Sequence, residues 1–293
     1  MKFLLLLPLL FAAGLASAQN WTTRQAAEIS EWKLNEISGM APSRVRGDIL
    51  WLHNDSGDKA RVYAVHTNGT FLGTVQLDGV RAVDWEDMAS ATIGGTNLLA
   101  LGDIGDNRRR RKEIAVHLLV EPSLPPATQE KGKIKPWTRT LAPLRSLRFV
   151  YPDGPRDAEG LVLDPVNRQI LILSKRDKPP RLYSAPLNPA ATPNGQPSKL
   201  TFRAKLPVPI WPSGLDLDQG NRRFVACTLN QLFLFERGPA EAWPAAFARG
   251  PVVIKRQALH QAESVCFSRD GRQIWSGSEK LPSPLLLSSR VEK

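Results

Sequence analysis

Residues 157–161 read Asp157-Ala158-Glu159-Gly160-Leu161, and a phrase of the same shape occurs at four other places in the chain. In every copy, a Ser or Glu stands two residues before an apolar residue that opens a short apolar run. The other copies are Glu36-Ile37-Ser38-Gly39-Met40, Asp84-Trp85-Glu86-Asp87-Met88, Trp211-Pro212-Ser213-Gly214-Leu215 and Gln261-Ala262-Glu263-Ser264-Val265. The aligned Ser or Glu residues are 48, 73, 54 and 50 positions apart. Periods of this size are typical of propeller blades or solenoid units.

Short apolar segments separated by turn sequences follow each phrase, as in an all-β protein built from many brief strands. The Asn68-Gly69 pair between two apolar runs is a strong hairpin signal. Four strands follow every phrase except the last, which opens at Glu263 and is one strand short. We therefore predict a five-bladed β-propeller, in which residues 25–34 supply the outer strand of the last blade and close the ring.

One interval between the phrases is longer than the others, and it contains a proline-rich stretch. Residues 121–143 include Pro122, Pro125, Pro126 and Pro136 and show no hydrophobic periodicity. We interpret this stretch as an excursion from the ring, after which residues 144–151 return as the outer strand of the second blade. Residues 19–293 are then a single propeller domain, since all-β folds reach this length as one unit.

The first 18 residues have the composition of a secretory signal peptide. Lys2 is followed by an apolar run from Phe3 to Leu15 and by Ala16-Ser17-Ala18. The run is shorter than the roughly 20 residues that a bilayer-spanning helix needs. We expect cleavage near Ala18 and a secreted or periplasmic protein without membrane insertion.

The chain is basic, with 39 Lys and Arg against 28 Asp and Glu and a formal net charge of +11. Such a charge favours anionic partners, although it also simply keeps a protein soluble. We expect a monomer that binds an anionic small molecule or an envelope polymer, and we do not expect a nucleic-acid partner. Cys227 and Cys266 lie in predicted strands of neighbouring blades; they form either a disulfide, which an oxidising compartment permits, or two separate buried thiols.

The aligned Ser and Glu residues of the five phrases are expected to meet near the propeller axis, and we call them the ring residues. They are Ser38, Glu86, Glu159, Ser213 and Glu263. Three carboxylates held together repel one another or stay partly protonated, and a hard divalent cation removes that conflict. Oxygen ligands of this kind suit Ca²⁺, whereas Mg²⁺ demands stricter octahedral geometry. In the alternative interpretation, the Glu side chains hydrogen-bond to amides of neighbouring blades and no metal is bound.

In a four-stranded meander, the turn between the second and third strands lies on the same face as the ring residues, where binding residues tend to sit. Asp55 and Asp103 are candidate catalytic residues that would orient a water molecule. Candidate ligand-binding residues on this face are Asp58, Asp106, Arg108, Lys175, Arg176, Trp85 and Trp211. The alternatives are that the acidic turns are ordinary β-turns, that the basic run at 108–112 is a solvated loop, and that both Trp residues pack between blades. P-loop, dinucleotide-binding and Gly-x-Ser-x-Gly motifs are absent from the sequence.

The ordered series Ser, Glu, Glu, Ser, Glu resembles the soluble calcium-activated nucleotidases (apyrases), which are five-bladed propellers with an axial calcium. This resemblance implies that the ring residues are calcium ligands. The chain departs from the family at Asn54-Asp55-Ser56-Gly57-Asp58, where apyrases have an Asp-Asp-Arg-type turn. It departs again at 276–280, where only Lys280 remains of a basic pair.

The Glu159-Gly160-Leu161 phrase more loosely resembles exported SdiA-regulated and phytase-like propeller proteins. Together, these features predict an exported calcium-binding propeller that recognises an anionic ligand or envelope component. The alternative is a calcium-dependent phosphohydrolase that acts on nucleotides or other phosphate esters.

Overall fold

A computed structural model describes residues 20–126, 128–130, 132–188, 195–208 and 211–291. The predicted signal peptide at 1–18 lies outside the described residues. Five sheets, one for each sequence phrase and each with four antiparallel strands, surround a common axis, which confirms the predicted five-bladed β-propeller. One short helix, α1 (Trp243–Ala248), connects two strands of the fourth blade. Among the described residues, no helix has the length and apolar character that crossing a bilayer requires.

The strands follow one another from the inside of each blade to the outside, apart from the first, β1 (Trp21–Ile29). Blade 1 contains β2 (Ile37–Pro42), β3 (Ile49–Asn54), β4 (Arg61–His66) and β5 (Phe71–Leu77). Blade 2 contains β6 (Trp85–Ile93), β7 (Thr96–Asp103) and β8 (Ile114–Val120), and after β9 (Thr128–Glu130), β10 (Lys133–Lys135) and β11 (Trp137–Leu141) it is completed by β12 (Arg145–Val150).

The remaining blades follow the same plan. Blade 3 contains β13 (Ala158–Asp164), β14 (Gln169–Ser174), β15 (Arg181–Pro186) and, after the short β16 (Ser198–Lys199), β17 (Thr201–Lys205). Blade 4 contains β18 (Gly214–Leu217), β19 (Arg223–Cys227), β20 (Gln231–Glu236) and β21 (Val252–Lys255). Blade 5 contains β22 (Ala262–Phe267), β23 (Gln273–Ser278) and β24 (Ser283–Arg290).

The N-terminal strand closes the ring, as the sequence predicts. β1 pairs antiparallel with β24, from Trp21 opposite Arg290 to Ile29 opposite Ser283. The strand overlaps the predicted segment 25–34 only at residues 25–29 and starts earlier, at Trp21, because β24 is long enough to pair with the chain from Trp21 onward. The N-terminal strand thus supplies the fourth, outermost strand of the last blade and joins the two ends of the propeller by backbone hydrogen bonds.

The proline-rich excursion also adds a strand to a neighbouring blade. After the β9–β10 hairpin, β11 adds a fifth strand to the outside of blade 1, where it pairs parallel to β5. The indole of Trp137 lies directly over Gly73, where any side chain would overlap it. In the same way, β16 pairs parallel to β12 at the outer edge of blade 2. The extra strands cover sheet edges that would otherwise be exposed.

The core consists of apolar clusters that fill the interfaces between neighbouring blades. Phe149 and Tyr183, for example, belong to the cluster between blades 2 and 3. Cys227 belongs to the cluster between blades 4 and 5, and Cys266 to the cluster between blades 5 and 1. Both thiols are buried and unbonded, which is the second of the two alternatives, because the cysteines face different interfaces.

Candidate functional site

The ring residues owe their positions to irregularities at the start of the inner strands. In four blades, the register between the inner strand and the next one shifts by one residue, which is a β-bulge. The extra residues are Ser38, Glu86, Glu159 and Glu263. The fifth ring residue, Ser213, directly precedes β18, and its N–H donates to the Cys227 carbonyl at 3.0 Å. Bulges re-aim a side chain relative to the regular strand, so the repeated phrase encodes a bulge.

The ring residues are linked to one another across the blades. The Ser38 hydroxyl donates to the backbone carbonyl of Glu86, and the Ser213 hydroxyl donates to the carbonyl of Ala262 at 2.5 Å, next to Glu263. The carboxyl groups of Glu159 and Glu263 also lie close enough that burial and, among other charges, that of Glu263 raise the pKa of Glu159. The structure therefore brings the ring residues together, and their role as metal ligands stays a prediction.

Two groups of carboxylates have oxygens that all lie within 4.8 Å of one another. One group is Asp55, Asp84 and Glu86, and the other is Glu86, Asp157 and Glu159, which is buried throughout. Burial and, secondarily, the charge of Glu159 raise the pKa of Glu86 well above its ordinary value. Burial also raises the pKa of Asp84, to about 6. The face therefore holds more carboxyl groups than the ring residues alone provide, and the raised pKa values of Glu86 and Asp84 favour their neutral, protonated forms.

Asp84 and Asp157 were not among the predicted site residues. Each stands two positions before a ring Glu, in the phrases Asp84-Trp85-Glu86 and Asp157-Ala158-Glu159. Residues two apart in an extended chain point to the same side. This spacing is the sequence signal that would have identified them.

Lys175, which directly follows β14, supplies positive charge to this cluster. Its Nζ lies 2.5 Å from Glu159 Oε1, and its side chain is 18% exposed. Burial lowers the pKa of Lys175, but the carboxylates of Glu159 and Glu263 outweigh this effect and raise the pKa overall. The ammonium group thus partly neutralises the ring residues.

Arg176 forms an ion pair with the neighbouring acid, Asp157. Its Nε lies 2.5 Å from Asp157 Oδ2, and its guanidinium lies 5.3 Å from the ring centre of Trp211 and also contacts Asn107. The N–H of Asp106 donates to the other oxygen of Asp157 at 3.0 Å. Two of the three predicted basic residues, Lys175 and Arg176, therefore lie at the site, and both are paired with acids.

The two candidate catalytic acids have different surroundings. Asp103 accepts hydrogen bonds from the N–H groups of Val83 and Asp84, at 3.0 and 3.1 Å, and pairs with Arg111 at 2.7 Å. Asp55 accepts from the N–H of Ser56 and belongs to a carboxylate group. Asp103 therefore holds loops together, whereas Asp55 faces the carboxylate cluster.

Three of the candidate ligand-binding residues make contacts within the protein that stabilise the fold. The carboxylate of Asp58 accepts from Tyr63 Oη at 2.7 Å and also pairs with Arg61, and Asp106 accepts from the N–H of Arg111 at 2.8 Å. Trp85 is 1% exposed and packs between His53 and His117, with ring centres 5.3 and 6.1 Å away. Trp85 therefore packs between blades 1 and 2, as the alternative interpretation states. Arg108, in contrast, is exposed.

A cleft of about 670 Å³ opens beside the ring residues, between blades 3 and 4. Trp211 lies at this cleft and is 50% exposed. Ring residues Ser213 and Glu263 line it as well, together with Lys175. The cleft therefore adjoins the ring residues, two of which line it, and Lys175 connects it to the carboxylates through its pair with Glu159.

Comparison with known proteins yields a fold neighbour and no family. No protein-family model matches the chain, and no curated protein matches it. Among solved structures, the chain is similar to the PQQ-bound form of aldose sugar dehydrogenase from Streptomyces coelicolor, with a TM-score of 0.49 and 13% sequence identity. The similarity covers 92% of this chain and 98% of that chain. At this identity it concerns the fold alone, and the propeller assignment rests on the sheet topology described above.

Proposed function

We propose that this protein is an exported calcium-binding β-propeller that recognises an anionic ligand at the face carrying the ring residues. The observation that carries this proposal is the buried group formed by Glu86, Asp157 and Glu159, whose carboxylate oxygens lie within 4.8 Å of one another. Like charges held this close in a buried site are costly unless a cation or a proton neutralises them.

The residues at the site suit calcium. All potential ligands are oxygens, from the carboxylates of Glu86, Glu159 and Glu263 and the hydroxyls of Ser38 and Ser213. Within the described part of the chain, the buried Oε2 atom of Glu263 has no hydrogen-bond partner. Ca²⁺ accepts six to eight oxygen ligands in irregular arrangements, which a set drawn from five blades provides more readily than the strict octahedron of Mg²⁺.

Gly105 gives independent support for the cation site, because only glycine leaves space beside the carboxylates of Glu86 and Asp84. A β-carbon at this position would lie against Glu86 Oε1 and 2.6 Å from Asp84 Oδ2. Its φ is not in the left-handed region, so the backbone conformation does not demand glycine. Glycine here therefore leaves room for two carboxylates to move toward a shared cation.

The basic side chains around the ring residues favour an anionic ligand. A bound dication would neutralise the carboxylates that Lys175 and Arg176 now pair with. The side chains of Lys175 and Arg176 would then be free to attract an anion. The exposed Arg108 lies two residues after Asp106, whose N–H donates to Asp157. Positive potential at a concave site concentrates anions.

Calcium binding to the full chain, measured by titration calorimetry, tests the proposal. We expect the wild type to bind Ca²⁺ with a dissociation constant of about 10⁻⁵ to 10⁻³ M, in the range of sensors and extracellular sites. Glu159→Gln should weaken binding about tenfold or more. Glu28→Gln, at an exposed position on β1, is the matched control. Absence of binding to the wild type, or equal binding to Glu159→Gln, would overturn the proposal.

Phosphate-ester hydrolysis is the second candidate function, because Glu86 belongs to both carboxylate groups. A shared carboxylate would allow two cations to lie close together, as in many enzymes that cleave phosphate esters. The test is phosphate release from a nucleotide, pyrophosphate or phytate, with calcium or with a chelator. Calcium-dependent release that Asp55→Asn abolishes would establish hydrolysis, and no release from any of them would exclude it for these substrates.

A further inference from the structure

We infer that the cleft between blades 3 and 4 binds a small molecule with an apolar body and a single acidic group, and that Lys175 couples this ligand to the cation. The inference rests on the proposed function, because it takes the cation at the ring residues as the neighbour of the cleft. It adds the place of the ligand, its chemical class and the residue that links the two sites.

The walls of the cleft are apolar and its volume fits a small ligand. Pro179, Pro180 and Val208 line it, together with Trp211 and Leu229. The last two side chains are 50% and 53% exposed, so two large apolar groups share one concave surface. A volume of about 670 Å³ lies within the range of small-molecule sites, which are mostly apolar with a few polar groups.

The inner end of the cleft is polar and reaches the ring residues. Lys175, Ser213 and Glu263 line this end, and the last two are ring residues. A ligand whose apolar body lies on Trp211 would therefore direct its other end toward Lys175. The site thus favours a molecule with one apolar and one polar end.

The charges around the cleft favour a negative group on the ligand. Asp177, also in the lining, is paired with Arg156 at 2.8 Å and is therefore neutralised. Lys178 lines the cleft and forms no ion pair with any residue that the structure describes. Lys175 and Lys178 are then the positive groups available to an acidic ligand.

Lys175 provides the coupling because it belongs to both sites. Without a cation its ammonium pairs with Glu159 at 2.5 Å. A dication on the ring carboxylates would take over their neutralisation and repel the ammonium, whose flexible four-carbon stem can turn into the cleft. An acidic ligand there gives the ammonium a new partner. Cation and ligand should therefore strengthen each other's binding by the same factor, as linkage requires.

Fluorescence titration with anilinonaphthalene sulfonate, which combines an apolar ring system with one sulfonate, tests this inference. We expect calcium to lower its dissociation constant about fivefold or more in the wild type. Trp211→Ala should weaken binding several-fold, whereas Trp32→Ala, at a 73% exposed tryptophan, should not. N-phenylnaphthylamine, which lacks the sulfonate, should bind without a calcium effect.

Lys175→Met should still bind calcium in calorimetry, more tightly than the wild type because a competing positive charge is removed from Glu159, and should lose the effect of calcium on the probe. Lys175→Arg, which keeps the charge, should retain the effect of calcium on the probe. Unchanged probe binding in Trp211→Ala, or no calcium effect in a wild type that binds calcium, would overturn the inference and leave the proposed function standing. A wild type that binds no calcium would overturn the proposed function itself, and the two failures are therefore distinguishable.

Discussion

The ammonium of Lys175 lies 2.5 Å from Glu159 Oε1, at the point where ring residues from different blades meet. A lysine ammonium group therefore lies beside the carboxylates for which the sequence predicts a bound calcium ion. Glu263 and Glu86 also act on Lys175 and raise its pKa, although less than Glu159 does. A buried carboxylate that loses such a partner is left with an uncompensated charge.

Replacing Lys175 by Met should destabilise the protein in the presence of a chelator. We expect a loss of about 2 kcal/mol, below the cost for a fully buried pair, because the Lys175 side chain is 18% exposed. Calcium should then raise the melting temperature more in Lys175→Met than in the wild type. Scanning calorimetry measures both effects, with the exposed Lys59→Met as control. An equal calcium shift in the two proteins would contradict this prediction.

Gly105→Ala should weaken calcium binding while the fold is kept. The added methyl group would press on the carboxylates of Glu86 and Asp84, whose flexible ends can move aside. We expect a loss of calcium affinity of about tenfold or more, with an unchanged circular dichroism spectrum. In the control Gly238→Ala, the nearest side-chain atom lies 3.7 Å from the added carbon, and affinity should not change. If both variants bind calcium like the wild type, the space at Gly105 is unrelated to the cation.

Asp87 holds three blades together, and its removal should be strongly destabilising. One carboxylate oxygen accepts from the N–H groups of Leu161 in blade 3 and Leu215 in blade 4, at 2.8 and 3.1 Å. Asp87→Ala would leave both buried donors unsatisfied, at about 1–3 kcal/mol each. Denaturant unfolding should show a loss of several kcal/mol, against none for the exposed Asp78→Ala. A loss below about 1 kcal/mol would show that these hydrogen bonds matter little.

Asp216 should make the stability of the protein fall as the pH rises. Burial raises the pKa of this carboxyl from 3.8 to about 7, against the opposing effect of Arg44. The folded state then holds a proton that the unfolded state releases above a pH of about 4, so the stability from this group is complete below that pH. It is lost as the pH rises through about 7.

Denaturant unfolding with a chelator between pH 4 and 8 checks this effect. Asp216→Asn, which keeps an acceptor for the N–H of Phe267, should show a smaller decline over this window than the wild type. Identical slopes in the two proteins would mean that Asp216 ionises alike in the folded and unfolded states.

The architecture follows from sequence features that act within one blade or between neighbouring segments. The repeated phrase marks the start of every inner strand, and the Asn68-Gly69 turn separates β4 from β5 as predicted. The missing strand after Glu263 indicates closure by the N-terminus, which β1 confirms. These features are readable because strand alternation and turn chemistry depend on residues close together in the chain.

Other features became visible only once the blades had come together. The sequence predicts a metal at the ring residues, but only the fold shows that Lys175 pairs with Glu159 and that carboxylates from separate phrases, such as Glu86 and Glu159, lie within 4.8 Å of one another. The tertiary structure also decides that Trp85 is buried whereas Trp211 lines a cleft. The bulges that orient the ring residues arise within single blades, so their phrase repeats along the chain. Charge pairing and burial are instead set by distances between side chains of different loops and blades, which no local pattern encodes.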